Sequence, residues 1–382
     1  MKRISGRYVT TTTVGESIQA FIPEGLPPRE PQLTANSYEK QNLLAELALA
    51  QLSGVSKLVP SINWLLYGAI RKEALLTSQI EGTQATLTDL FDDEAGIKVI
   101  NTDDVEEVTN YIKAFQYVQE NLKKEGGLPI SIRLLCNAHQ LLMNGVRGNG
   151  KQPGELRKSQ NWIGSKKPSR AIFVPPPPEK VAKLLSDLEK FIHEDRDDFP
   201  PLVKIALVHA QFETIHPFLD GNGRLGRLLI AALVEYYDLL PEPLMYLSAH
   251  LKQNQSEYYR LLNGVRTEGD WESWIQFFLE GVIDSAITAR KNIVEISTRI
   301  YSDKNIVMSS SEASLNSLKL FDLLPTMPRF TIEKVKTVLG VTYPTANAAV
   351  KNLIDLGLII EITGQTRNRS FSYQTYIDLI SD

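Results

Sequence analysis

The sequence predicts a mainly α-helical protein that carries one β-hairpin and a smaller C-terminal domain. Apolar residues recur every three or four positions over residues 37–90 and again over 202–300, which is the spacing of amphipathic helices. Between residues 154 and 178 this period disappears, and two short apolar runs flank a polar stretch, so that 162–174 is predicted to be a hairpin. After residue 314 short helical and strand patterns follow each other, which indicates a separately built domain.

Changes in composition divide the chain into four segments. Residues 1–100 are predicted to form a proline-rich extended arm up to about Leu33, followed by helices, because proline denies a helix its donors. Residues 101–300 are the predicted helical core. The serine-rich and polar stretch 301–314 is predicted to be a linker, and residues 315–382 the C-terminal domain.

The C-terminal domain has the order of elements of a winged helix-turn-helix. A helix is predicted over residues 331–339, a turn follows, and a second helix is predicted over 345–356. Residues 358–373 then alternate between apolar and polar side chains like a two-stranded wing. This order predicts a module that contacts DNA or protein.

Charge does not decide between those two partners. Basic side chains are present in the C-terminal domain, and Thr345, Asn347 and Lys351 are candidates to face a DNA groove from the second helix. Acidic residues such as Glu333 and Asp355 dilute the basic patch. A DNA reader and a protein-contact or dimerisation module therefore both stay open, and so does a homodimer.

Bulk composition excludes several classes of protein. With 382 residues and 43% hydrophobic content, the chain can form two or three domains with their own cores. A net charge of -4 gives no overall attraction to nucleic acid. Cys136 is the only cysteine, which excludes an intrachain disulfide and a cysteine-based zinc cluster. The longest apolar run, 228–234, is too short for a membrane span, so we expect a cytoplasmic protein without membrane contact.

The densest chemical signal is the polar, glycine-rich segment from His216 to Arg227, which lies between two apolar helical patterns. Gly221 and Gly223 allow a close backbone approach, so that the amides around Asn222 can point into one concavity where the next helix begins. The positive end of that helix favours an anion. Arg224 and Arg227 share a helix face and can reach phosphate oxygens. This pattern predicts a phosphate site.

Two further residues of the segment supply a metal ligand and a base. Asp220 offers a hard oxygen ligand beside the phosphates, which suits Mg²⁺ because this ion takes one or two carboxylates together with phosphate and water. His216, with an ordinary pKa near ~6.5, can accept a proton from an attacking hydroxyl. Each residue alone has an ordinary explanation as a turn, a core histidine or a solvated charge. Their combination in one loop favours a functional site.

The segment resembles the signature of the Fic family, His-x-Phe-x-Asp/Glu-Gly-Asn-Gly-Arg-x-x-Arg. A matching residue stands at every fixed position: His216, Phe218, Asp220, Gly221, Asn222, Gly223, Arg224 and Arg227. Four further stretches resemble those of multi-domain bacterial members: ThrSerGlnIleGluGly up to Gly82, ProGlyGluLeuArg from Pro153, the prolines before residue 179 and TrpGluSerTrp from Trp271. The fold implied is a Fic-type helical core with a β-hairpin flap, plus the winged helix-turn-helix domain.

The resemblance implies that the protein is an adenylyltransferase, which moves AMP from ATP to a Tyr, Ser or Thr hydroxyl of a target protein and of itself. His216 would be the general base, Phe218 an apolar anchor and Asp220 the Mg²⁺ ligand. Gly221, Asn222 and Gly223 would bind the α- and β-phosphates, and Arg224 and Arg227 the outer phosphates. The hairpin at 162–174 would be the flap that holds the target by adding a strand.

The resemblance also implies an inhibitory helix. Thr77, Glu81 and Gly82 meet the family pattern Ser/Thr-x-x-x-Glu-Gly/Asn. Glu81 would pair with Arg227 and take the donor that the γ-phosphate of ATP needs. Two other functions remain open, a DNA-binding regulator whose core senses nucleotide, and a hydrolase that removes AMP from proteins with Glu81 positioning water.

Overall fold

The computed structural model describes residues 3–59, 61–145, 150–194 and 198–381. The chain forms two compact units, neither of which is one continuous stretch. Unit 1 comprises residues 1–50, 110–241 and 247–285, and unit 2 comprises 51–109, 242–246 and 286–382. The sequence predicts domains in series instead, because composition along a chain does not reveal which distant segments pack together.

Unit 1 begins with a β-hairpin. Strand β1 (Gly6–Thr13) pairs antiparallel with β2 (Glu16–Pro23), from Gly6 opposite Pro23 to Thr13 opposite Glu16. Both turn residues have positive φ, 50° at Val14 and 75° at Gly15, which suits the right-handed twist of a tight hairpin. The sequence predicts an extended arm here and does not predict its pairing into a hairpin. The structure differs because Val14 takes a conformation that β-branched residues rarely adopt.

The helices that lie wholly or partly in unit 1 are α1 (Glu39–Ser56), α4 (Thr102–Lys123), α5 (Ile132–Leu142), α6 (Pro178–His193), α7 (Pro201–Ile215), α8 (Asn222–Tyr236), α9 (Ser248–Gln253), α10 (Gln255–Glu268) and α11 (Trp271–Ser309). Helix α7 starts at a proline, which has no N–H to leave unpaired at a helix start. From Leu202 to Ile215 each of its residues is buried, so α7 is the central helix of this core. It therefore provides a rigid support for the residues that follow it.

The 162–174 segment contains less β-structure than the sequence predicts. One bridge joins Ile163 to Phe173, and a 3-10 turn over Pro168–Arg170 occupies the middle of the segment. Proline has no N–H for a strand ladder, which limits pairing at this point. Strand β2 lies beside the end of the segment, since the N–H of Phe21 donates to the carbonyl of Val174 at 2.9 Å.

Unit 2 holds α2 (Ile62–Ile80), α3 (Leu87–Glu94), α12 (Leu315–Leu323), α13 (Ile332–Leu339), α14 (Tyr343–Asp355), α15 (Gln374–Ser381) and the strands β3 (Arg329–Thr331), β4 (Ile360–Glu361) and β5 (Ser370–Ser372). The strands form an antiparallel sheet in the order β3-β5-β4. The two helices and the strand pair predicted for this domain are thus present, at bounds within a few residues of those predicted.

The predicted linker over 301–314 is helical as far as Ser309, where α11 ends. Ile300, Asp303 and Val307 are buried at helical spacing on one side of α11. The polar residues that suggest a linker lie on its other side, so composition alone is misleading here. Among the described helices, none has the length and apolar character that crossing a membrane requires.

Candidate active site around the end of helix α7

The loop between α7 and α8 starts and ends in left-handed backbone. Helix α7 ends at His216, which has φ 48° and ψ 63° and donates its N–H to the carbonyl of Phe212. Helix α8 begins after Gly221, which has φ 74°. A left-handed non-glycine residue is uncommon and often marks a functional position. No side chain caps α8, and the N–H groups of a first helical turn favour an anion.

A buried arginine holds the start of this loop. The side chain of Arg157, which is 2% exposed, donates to the main-chain carbonyls of His216 at 2.8 Å, Pro176 at 2.6 Å and Ile215 at 3.3 Å. Its own N–H donates to the carbonyl of Pro217 at 2.9 Å. Burial lowers the pKa of Arg157 to about 10, so the guanidinium is charged at neutral pH. One side chain therefore fixes the backbone on both sides of His216.

A buried histidine holds the other end of the loop. His139 of α5 stacks on Phe218, with the two ring centroids 3.9 Å apart. Its Nδ1 accepts the N–H of Gly154 at 2.9 Å, so Nε2 carries the proton and donates to the carbonyl of Asp220 at 3.0 Å. Burial lowers the pKa of His139 to about 4, which keeps the ring neutral.

The side chain of Asn222 closes the loop on itself. Its Oδ1 accepts the N–H of Phe218 and its Nδ2 donates to the carbonyl of Phe218, both at 2.9 Å. Asn161 donates to the same carbonyl at 3.1 Å. The predicted phosphate contact of Asn222 therefore falls to its main-chain N–H, because its amide side chain is already used within the protein.

His216 is half-buried and its imidazole is neutral near pH 7. Burial, followed by the nearby cations of Arg266 and Arg157, lowers the pKa of His216 to about 3. The main-chain carbonyl of Glu213 and the carboxylate of Asp220 oppose this effect. A neutral imidazole can accept a proton, which is the state that a general base requires.

Asp220 offers one carboxylate beside the first turn of α8. Its Oδ1 accepts the N–H of Gly221 at 2.7 Å, and its Oδ2 lies 3.8 Å from Nζ of Lys151. Over the described parts of the chain, no group of three His, Cys, Asp or Glu side chains is placed to hold a metal ion. One carboxylate is a donor set that suits a cation which takes its other ligands from phosphate and water, as Mg²⁺ does.

Arg224 and Arg227 lie in the first two turns of α8 and are 6% and 2% exposed. Gly226, between them, allows α7 and α8 to approach closely. A Cβ on Gly226 would lie 2.4 Å from Oε1 of Glu213 and 3.2 Å from Cδ1 of Phe212. Gly223, in the same first turn, is half-buried. The structure therefore brings the predicted residues of the 216–227 segment together around one helix start.

Thr77 and Glu81 belong to unit 2, at the end of α2. Thr77 is buried, whereas Glu81 is exposed and is the last residue before Gly82, which has φ 101°. The N–H of Gly82 donates to the carbonyl of Gln79 and the N–H of Thr83 to that of Ser78. This is the Schellman arrangement of a helix end. Helix α2 thus ends just before Gly82, within the segment that meets the family pattern.

The predicted groove residues of the C-terminal domain are partly engaged with their own neighbours. Oδ1 of Asn347 accepts a hydrogen bond from Arg369 at 2.8 Å, and Lys336 pairs with Glu333 at 3.0 Å. Lys351 is exposed on α14. Contact of this domain with DNA or with protein stays a prediction.

Sequence reasoning did not assign roles to Arg157, His139 or Asn161. Arg157 lies in the ProGlyGluLeuArg stretch, but nothing in that stretch indicates that its side chain reaches the carbonyl groups of His216, Pro176 and Ile215. His139 has the periodicity of a core residue on a helix. A buried histidine or arginine within an apolar pattern is the one signal that could have marked either residue.

Comparison with known proteins identifies two stretches of the chain. Residues 40–120 match the Fic/DOC family N-terminal profile and residues 129–234 the Fic/DOC family profile. The protein adenylyltransferase Fic of Drosophila ananassae is 27% identical over 208 residues, which cover 53% of this chain and 38% of that protein. That of Drosophila melanogaster is 26% identical over 205 residues, with the same two coverages. The chain thus spans less than half the length of these relatives.

Solved structures share the fold. A Fic family protein from Desulfovibrio desulfuricans G20 has a TM-score of 0.58 and 19% identity, and the match covers 90% of this chain and 97% of that one. Fic-1 from C. elegans has a TM-score of 0.53 and 19% identity, and the match covers 69% of this chain and 74% of that one. The two family profiles match residues 40–120 and 129–234, and the 216–227 segment matches the family signature at every fixed position. The chain therefore belongs to the Fic/DOC family.

Proposed function

We propose that the protein transfers AMP from ATP to a hydroxyl group of a protein. The observation that carries this proposal is the loop that leads from His216 into the first turn of α8, where the main-chain carbonyl of His216 accepts a hydrogen bond from Arg157 and no side chain caps the helix. Burial lowers the pKa of the His216 imidazole to about 3, so the imidazole is neutral at pH 7. A base next to an anion site suits the attack of a hydroxyl on a phosphate group. The names of the adenylyltransferase relatives add support from outside the chain.

In the proposed reaction the acceptor oxygen bonds to the α-phosphorus while the bond from that phosphorus to the pyrophosphate oxygen breaks. His216 accepts the hydroxyl proton, and pyrophosphate leaves. The N–H groups of Asn222, Gly223 and Arg224 in the first turn of α8 bind phosphate oxygens, and the guanidinium groups of Arg224 and Arg227 add positive charge.

We assign the Mg²⁺ of this reaction to Asp220, whose carboxylate is half-exposed beside the first turn of α8. The ion, when bound, would neutralise charge on the α- and β-phosphates. The acceptor is assigned to the 162–174 segment, whose single bridge leaves main-chain groups for an added strand. The single cysteine supports a reducing compartment such as the cytoplasm.

We also propose that Glu81 inhibits the reaction by pairing with Arg227. Glu81 ends α2, where the negative end of the helix dipole disfavours a carboxylate. Arg227 is a guanidinium that is 2% exposed, and a carboxylate is the kind of group with which an arginine forms its strongest hydrogen bonds. With Arg227 occupied, ATP would bind with its α-phosphorus poorly oriented for attack.

Replacement of Glu81 tests both parts of this proposal. In Glu81→Gly, we expect incorporation of AMP into the chain itself to rise about tenfold or more over the parent at equal ATP, because Arg227 is released for phosphate. The measurement is intact-protein mass spectrometry after incubation with ATP and Mg²⁺. Glu107→Gln provides a control at a carboxylate of the same unit.

Two outcomes would contradict the proposal in different ways. If the parent incorporates AMP and Glu81→Gly incorporates no more than the parent, Glu81 is not inhibitory. The proposed AMP transfer would still hold. Loss of AMP from a previously modified protein, abolished in Glu81→Gly, would favour the hydrolase that runs the reaction in the opposite direction.

A further inference from the structure

Arg266 of α10 joins the 162–174 segment to the end of α7. Its guanidinium carbon lies 4.0 Å from the centroid of the Phe173 ring, and its Nε donates to Oγ1 of Thr214 at 3.1 Å. Phe173 is half of the single bridge in the segment, and Thr214 lies two residues before His216. One side chain therefore contacts both the segment assigned to the acceptor and the helix turn that carries the base.

Both contacts of Arg266 are geometrically constrained. The hydroxyl of Thr214 donates to the carbonyl of Ala210 at 2.8 Å, so its oxygen is oriented to accept from Arg266. Phe173 is 6% exposed and also contacts Phe21 of β2, with ring centroids 6.3 Å apart. A flat guanidinium can stack on an aromatic ring and still donate in its own plane, which the ammonium of lysine cannot do.

Charge gives Arg266 a second effect on the same site. Burial lowers the pKa of Arg266 to about 10, opposed most by Glu213, so it is a cation at neutral pH. The charged groups that act on His216 are Arg266 of α10 and Arg157, which disfavour its protonation, and Asp220 of the loop, which favours it. Of the two cations, Arg266 has the larger effect.

We infer that Arg266 is a positioning residue that holds the 162–174 segment, through Phe173, against the turn of α7 that carries His216. The effect on catalysis that we expect from this contact rests on the proposed function. When the contact is lost, the acceptor should be held less well relative to the base, so KM for the acceptor rises more than kcat falls. ATP binding, which uses the first turn of α8, should not change.

Two substitutions of Arg266 separate its shape from its charge. Arg266→Lys keeps the charge but loses the flat stacking surface and the directed Nε–H, whereas Arg266→Gln loses the charge as well. Arg260→Gln is the matched control, since Arg260 lies on the same helix and pairs with exposed Glu257 away from the segment. Thermal unfolding identifies any variant that fails to fold.

Amide hydrogen exchange measures the contact directly, without ATP or acceptor. The N–H groups of Ile163 and Ile172 form the bridge, and we expect them to exchange about 5- to 30-fold faster in both Arg266 variants. Amides of α7 should keep the parent rates. Exchange at Ile163 and Ile172 that is unchanged in Arg266→Gln overturns the inference.

Titration of His216 by NMR measures the charge effect. In Arg266→Gln the pKa of His216 should move up toward its ordinary value, because a nearby cation is removed, while in Arg266→Lys it should stay close to the parent value. An unchanged titration in Arg266→Gln contradicts the placement of Arg266 beside the base. Absence of AMP transfer in the parent would contradict the proposed function. It would leave the inference on Arg266 intact, because hydrogen exchange and titration are measured without turnover.

Discussion

The 216–221 loop and the 162–174 segment are both irregular, yet they are held in opposite ways. Side chains from elsewhere in unit 1 donate to the carbonyls of the loop: buried Arg157 to that of His216, half-buried Asn161 to that of Phe218, and buried His139 to that of Asp220. The segment has one bridge, between Ile163 and Phe173. Irregular backbone can thus be fixed as firmly as a helix when buried donors satisfy its carbonyls.

This difference suits two different tasks. A base must stay aligned with a phosphate, and misplacement by a fraction of an ångström slows a reaction. A segment that receives an unrelated protein gains from main-chain groups that are free to pair with an incoming strand. Four substitutions test whether the loop and the segment differ in this way.

His216→Ala removes the proposed base from the firmly held loop. We expect AMP transfer to fall about 10²- to 10⁴-fold, because that is the usual contribution of a general base, while ATP binding is retained. Transfer rates and ATP titration measure the two properties. His193→Ala, at an exposed histidine of α6, should keep the parent rate. A parent-like rate in His216→Ala would exclude His216 from the mechanism.

Arg157→Met removes the donors that hold the loop. The carbonyls of His216, Pro176 and Ile215 would each lose a hydrogen bond in a buried place. We expect the free energy of unfolding to fall by about 2–4 kcal/mol, measured by urea denaturation. Lys158→Met is the control, since Lys158 is exposed and pairs only locally with Glu155. If both variants lose equal stability, the loop is not held by Arg157.

Asp220→Asn keeps the shape of the side chain at the end of the loop but removes its charge. We expect the Mg²⁺ concentration for half-maximal transfer to rise about tenfold or more, because a neutral amide is a weaker ligand than a carboxylate. Mg²⁺ titration of the transfer rate provides the measurement. A titration curve that coincides with that of the parent would show that Asp220 does not bind the ion.

Gly164→Ala alters the weakly held segment. Gly164 has φ 85°, and an added Cβ would lie 2.5 Å from Cδ1 and 2.9 Å from Cβ of Ile172, so that the backbone of this exposed stretch must shift as well. We expect a stability loss of about 1 kcal/mol from the backbone conformation, with a rise in KM for the acceptor. A loss as large as that of Arg157→Met would mean that the segment is as rigid as the loop.

The sequence predicts most of the helices, because their apolar spacing is a local property. It also places His216, Asp220, Gly221 and Arg224 in one site, since all lie within one short segment. It does not predict that the side chain of Asn222 bonds to Phe218 instead of facing a ligand. That choice depends on three-dimensional packing.

Long-range contacts account for the remaining differences. Arg157 lies about sixty positions before His216 in the chain, and Arg266 about fifty after it, so no local pattern connects them. The hairpin of residues 6–23 depends on the left-handed turn at Val14, which sequence preference disfavours. The predicted linker at 301–314 is wrong up to Ser309, where helix α11 ends. Its few buried residues are separated by polar ones, so the helical period is hard to recognise in the sequence.

The central claim is that the α-phosphate of ATP, with its nucleoside, is transferred to protein through His216. Its most direct test compares ATP labelled at the α-phosphate with ATP labelled at the γ-phosphate, each incubated with Glu81→Gly and Mg²⁺. We expect label from the α-position on the chain, label from the γ-position only in released pyrophosphate, and neither on the chain in Glu81→Gly/His216→Ala. Label from the γ-position on the chain would show phosphoryl transfer and contradict the account.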